Sequence, residues 1–137
     1  MSSSTEVYLQ VEISSAKASI DNNPNDFRNL LQFGSATQAA ALVTGDQAYV
    51  KLAFQSFLQA ESLAKNHPLP LYSLANLYQL AGDNDSAKKV LERLLILKPD
   101  FTEASFMYQK ILEDNASSSN TSILSTMPSV KSKIKNK

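Results

Sequence analysis

PLPLYSLANLYQLAGDNDSAKKVLERLLILKPDF, residues Pro68 to Phe101, is the stretch whose pattern decides the fold. Leu71, Leu74, Ala75 and Tyr78 fall at i, i+3, i+4 and i+7 and draw one stripe along an α-helix. The pattern breaks at Ala81-Gly82-Asp83. Beyond the break Ala87, Val90, Leu91 and Leu94 draw a second stripe, with Lys88, Lys89, Glu92 and Arg93 on the opposite side, and Pro99 closes the unit. Neither short helix can bury its stripe alone. A Gly-containing turn between them therefore predicts an antiparallel hairpin.

The slots occupied by Leu71, Leu74, Ala75, Tyr78, Ala87, Leu91 and Pro99 resemble a tetratricopeptide repeat (TPR), a helix-turn-helix unit of about 34 residues. Ala75 and Ala87 take the positions where the two helices cross, and a small side chain there lets the backbones approach closely. Leu71 stands in the Trp slot of the family pattern and Leu91 in the aromatic slot of the second helix, so the expected core is aliphatic. The resemblance implies an all-α fold: antiparallel hairpins stacked as a short TPR-like right-handed solenoid of about six helices.

Working toward the N-terminus, Gln47 to Asn66 predicts a long helix with Ala53, Phe57, Ala60 and Ala64 on one side, while Phe54 and Leu58 widen its apolar surface. Leu30, Phe33, Gly34 and Thr37 repeat the intervals of Leu71, Leu74, Ala75 and Tyr78, and Thr44-Gly45-Asp46 ends that helix. Residues 27–67 thus read as one elongated, degenerate repeat. Asn25 or Asp26 is placed to cap it. His67, the single His, reads as a loop or cap residue.

Thr5 to Ile20 carries two patterns. At period two Val7, Leu9, Val11 and Ile13 alternate as in a strand; at helical spacing Leu9, Ile13, Ala16 and Ile20 form one stripe. The helix is preferred because no other segment reads as a strand to pair with it.

Past Pro99, Asp100-Phe101-Thr102 starts a last helix with Ala104, Tyr108 and Ile111 on one face. Gln109 falls in the slot of Gly34 and Ala75, and a polar residue there suits a helix that caps the stack. The cap is expected to end near Asn115. The resulting layout is a disordered start over 1–4, a helical domain over 5–114 (hairpins 27–67 and 68–101, capping helix 102–114), and a disordered Ser/Lys-rich tail over 115–137.

Composition bounds the function. The 137 residues suffice for one domain, and the absence of Cys excludes disulfides and thiolate metal sites. Thirteen acids balance thirteen bases, but Lys131, Lys133, Lys135 and Lys137 lie in the tail, leaving a mildly acidic body that argues against nucleic acid as the main ligand. No run approaches the roughly 18 apolar residues of a membrane span, and the first residues lack the pattern of a signal peptide, so a soluble, cytoplasmic protein is expected. There is no Gly-rich phosphate loop, H-E-x-x-H motif or catalytic triad, and Asp83 and Asp85 lack the rest of a calcium loop. The sequence therefore implies no enzyme, no cofactor and no metal.

Recognition of another protein remains. TPR stacks line a concave groove with their first helices, and the matching line here is Leu69, Tyr72, Asn76 and Gln79. Members that grip acidic chaperone tails place Lys one residue past the first aromatic slot and Asn one past the small-residue slot. Asn76 meets the second condition, but Tyr72 fills the first, and Leu31 and Ser35 stand at the two places in the earlier repeat. Tight binding of a Glu-Glu-Val-Asp peptide is not expected. The expectation is a small adaptor or assembly subunit, as homo-oligomer or hetero-complex, with Val7, Tyr8 and Val11 at an end that a partner or second copy covers. The alternative is a TPR-type chaperone that shields an apolar client segment, similar to those of secretion systems.

Overall fold

A computed structural model describes residues 4–126, with side chains described through Ser117. Among them every regular element is a helix: α1 (Ser4–Asn22), α2 (Phe27–Thr44), α3 (Gln47–Leu63), α4 (Pro68–Leu80), α5 (Asn84–Leu97) and α6 (Thr102–Thr126). Each packs on the next, and α2 also touches α4. The connections are too short to allow anything but an antiparallel path between packed neighbours.

Local chemistry sets the boundaries. Asp26 accepts from the Arg28 backbone N–H at 3.0 Å, Asp46 from Ala48 at 2.9 Å and Asp83 from Ser86 at 3.1 Å, each satisfying a donor that the first turn of its helix leaves open. His67 does the same through Nδ1, 3.3 Å from the Leu69 nitrogen, ahead of Pro68 in the first turn of α4. Gly82 turns the chain between α4 and α5 at φ 79°, a conformation that a side chain disfavours. Lys98, held at φ −142° and ψ 84° by the following Pro99, stops α5.

The hairpin that anchors the sequence pattern is assembled as its stripes require. Leu71 and Ala75 of α4 share one buried cluster with Ala87, Leu91 and Leu94 of α5 and with Ala104, Met107 and Ile111 of α6. Leu74 and Leu77 turn the other way, onto Ala53 and Phe57 of α3. Tyr78 and Val90 pack against both clusters, so α3 to α6 enclose a continuous core. Its filling is largely aliphatic.

The earlier hairpin is tighter. A Cβ on Gly34 would run into the Phe57 ring, so the aromatic ring rests directly on the α2 backbone. Beside it the buried Ser56 hydroxyl donates to the Leu30 carbonyl at 2.6 Å, and the buried Thr37 hydroxyl returns to its own helix through the Phe33 and Gly34 carbonyls. Gly34 thus sits at a close crossing of α2 and α3.

Two sequence expectations change at the ends. Helix α1 resolves the ambiguity over 5–20: its helical stripe, Leu9, Ile13, Ala16 and Ile20, is the buried and half-buried face, and it begins at Ser4, inside the start expected to be disordered. Helix α6 does not stop near Asn115 but runs to Thr126, so residues 116–126 are helical, not a disordered tail. The sequence holds neither Pro nor Gly between Phe101 and Met127, and an existing helix extends at the cost of one ordered residue per added hydrogen bond. Residues 1–3 and 127–137, with the four tail lysines, lie outside the described residues. No helix of the described residues is long and apolar enough to cross a membrane.

Candidate protein-docking groove

Helix α4 spends its two most apolar faces on the core, which leaves one line along its length for other use. That line contains the expected groove residues. Leu69 is exposed, while Tyr72, Asn76 and Gln79 are half-buried. The packing residues behave differently: Leu71, Leu74, Ala75, Ala87 and Leu91 are buried, Tyr78 is half-buried against the Phe54 ring at 4.9 Å, and Pro99 is exposed in the α5–α6 connection.

Tyr72 and Gln79 form one wall of an open cleft of about 550 Å³. The other wall is the first part of α6, through Thr102, Glu103, Phe106, Met107 and Lys110. The start of α6 is fixed against α4 by Phe101, whose ring lies 5.0 Å from that of Tyr72 at a tilt of 40°. Farther along, Tyr108 donates to Glu92 of α5 at 3.2 Å. Burial and then the neighbouring carboxylate push its phenol above the ordinary value. These contacts tie the start of α6 to α4 at the cleft wall and its next turns to α5.

Phe106 is the salient member: 71% of its surface is open to water although it borders a concavity. Its partner across the cleft is an aromatic ring already held by another. Asn76 and Leu69 share the α4 line but do not line the cleft. Phe106 and Met107 were not picked out by the sequence, where Ala104, Tyr108 and Ile111 carried the reading; the legible signal was Glu103, Phe106 and Lys110 at i, i+3 and i+7, a second face of the same helix.

A larger cleft lies at the other end. Val7, Leu9, Gln10 and Val11 of α1 face Ala40 and Thr44 of α2 and Tyr49 of α3 around about 830 Å³. The Gln10 amide bridges it by donating to the Tyr49 hydroxyl at 2.7 Å. Val7, Tyr8 and Val11 are all more than half exposed.

His67 is held as a cap and by the Phe27 ring at 4.8 Å. Among the described residues no three or more His, Cys, Asp or Glu side chains gather where they could hold a metal ion. The clefts offer apolar surface with a few amides and hydroxyls, and the one between α4 and α6 adds the charged Glu103 and Lys110. Compared with known proteins, the chain matches no protein-family model and no curated sequence.

Proposed function

We propose that the protein is a non-enzymatic interaction module, a short TPR-like stack that acts as a small adaptor or assembly subunit of a larger complex and holds a segment of a partner protein in the groove between α4 and α6. The observation that carries this reading is Phe106, an exposed ring on the rim of a cleft whose opposite wall is Tyr72. Fully burying such a ring is favourable by about 1.5–3 kcal/mol, a contribution that the isolated chain forgoes and a docked segment recovers. Gln79, and Asn76 beside it, add amide donors and acceptors that fix an orientation.

The test is affinity purification of the tagged full chain beside Tyr72→Ala, Phe106→Ala and an exposed control, Lys51→Ala. Partners recovered with the parent and the control but lost with both cleft variants are expected. Equal recovery with all four chains contradicts the groove.

A chaperone role is the second reading, favoured by the apolar cleft under α1 with Val7 and Val11 open beside it. A chaperone releases its client on delivery, whereas an assembly subunit stays. Persistence of the complex after the partner is incorporated into its final assembly separates the two.

A further inference from the structure

The groove between α4 and α6 has a charge pattern that its apolar lining does not explain. Glu103 and Lys110 stand on the same wall, on either side of Phe106 and Met107. Seven residues at about 1.5 Å each put them about two turns, on the order of 10 Å, apart. Both side chains are exposed, and neither takes part in the ion pairs formed among the described residues, which join Arg28 to Asp26, Arg93 to Glu61 and Lys98 to Asp100. The wall is therefore bracketed by one free carboxylate and one free ammonium, with an exposed aromatic ring between them.

We propose that the occupant of this groove is a short amphipathic helix from a partner protein, bearing an apolar pair at its centre, a Lys or Arg over Glu103, and an Asp or Glu over Lys110, the two charges seven residues apart. The inference rests on the groove reading above. A helix fits best because both walls are themselves helices, whose main-chain groups beyond the end turns are paired along α4 and α6, so no sheet edge is open to a strand. An extended segment spanning the same distance brings several unpaired amides and carbonyls into a cleft where Tyr72, Gln79 and Thr102 are the neutral polar side chains available. A helix brings none, and its seven-residue period places two charges above the two on α6 with the apolar pair facing Tyr72 and Phe106. Opposite charges at the rim fix register and exclude segments of one sign, while the rings supply affinity.

The experiment is a selection from a displayed library of sixteen-residue helical peptides, randomised on one face, against the full chain, the Lys110→Glu chain and the Phe106→Ala chain. Lys110 is the charge to reverse because Glu103, in the first turn of α6, also favours the helix start. Against the parent chain the enriched peptides are expected to carry a basic and an acidic residue seven apart around an apolar pair. Against Lys110→Glu both positions are expected to become basic. Replacing the acidic residue of a selected peptide by Lys is expected to weaken its binding to the parent about tenfold at low salt, with the difference shrinking as salt is added, and to reverse with Lys110→Glu. Enriched peptides that need Phe106 but show no charge preference overturn the inference and leave the groove standing. Peptides indifferent to Phe106→Ala, or no enrichment at all, overturn both.

Discussion

Helix α5 and helix α1 each carry an apolar stripe of helical period, yet one stripe disappears into the molecule and the other does not. In α5 Ala87, Leu91 and Leu94 are fully buried; in α1, five residues longer, Ala16 alone is. The difference lies in the neighbours. Helix α5 is enclosed by α4 and α6 and is tied to α3 by the Arg93–Glu61 ion pair at 2.6 Å, whereas α1 packs on α2 and reaches α3 through Gln10 and Tyr49. A helix with packed neighbours on both sides buries more of its apolar stripe than one packed on a single side. The end helices leave apolar side chains in water: Val7, Tyr8 and Val11 on α1, and Phe106 on α6.

The contrast makes ordered predictions. The largest effect belongs to the enclosed helix: Leu91→Ala is expected to lower unfolding free energy by about 2–5 kcal/mol, read from the midpoint of a urea titration. A loss below about 1 kcal/mol would mean that α5 is not enclosed as described.

Next comes the close crossing of α2 and α3. Gly34→Ala removes a helix-interior glycine, which alone favours the variant by roughly 0.5–1 kcal/mol, but it drives a methyl group into the buried Phe57 ring. Overpacking of about 1–3 kcal/mol is expected to win, and the double variant Gly34→Ala with Phe57→Leu to recover part of the loss. A more stable single variant contradicts that ring placement.

At the open end the expectation is small. Val7→Ser with Val11→Ser is predicted to change unfolding free energy by less than about 1 kcal/mol in total, since both side chains are largely in water. The pair would instead lower any concentration-dependent association seen by sedimentation. A loss like that of Leu91→Ala would show that this face is packed in solution.

The smallest effect is at a cap. The Asp83 carboxylate, held by the Ser86 hydroxyl at 2.7 Å and by the Ser86 backbone N–H, has its pKa lowered by those bonds. A pKa depressed in the folded state contributes stability that is present above the ordinary carboxylate range and is lost as pH falls through the lowered value. Asp83→Asn is therefore expected to flatten the acid limb of the stability profile slightly and to leave neutral pH almost unchanged. An equally steep acid limb in the variant assigns the proton uptake elsewhere.

Much of this fold was legible because the signals were local. Asp26, Asp46 and Asp83 sit where a cap is needed, Gly82 where φ must be positive, and the stripes of α4 and α5 name the residues that meet. Ala75 and Ala87, read as a tight crossing, are both fully buried in one cluster. The C-terminal end was not legible, because Ser and Asn content suggested disorder where the absence of any helix breaker decides the outcome. Part of the lining of the candidate groove was visible in the same way. Tyr72 and Gln79 follow from the faces that α4 leaves unused, but Phe106 lies on a helix whose buried stripe was read as its only face, and which side of α6 turns toward α4 depends on the packing of Phe101 against Tyr72.

The most direct measurement is amide hydrogen exchange of the full chain, free and saturated with a partner segment. Recognition between α4 and α6 predicts slowed exchange over residues 69–80 and 102–112, with residues 4–16 unchanged. Slowing confined to residues 4–16 would contradict the account and place recognition on α1.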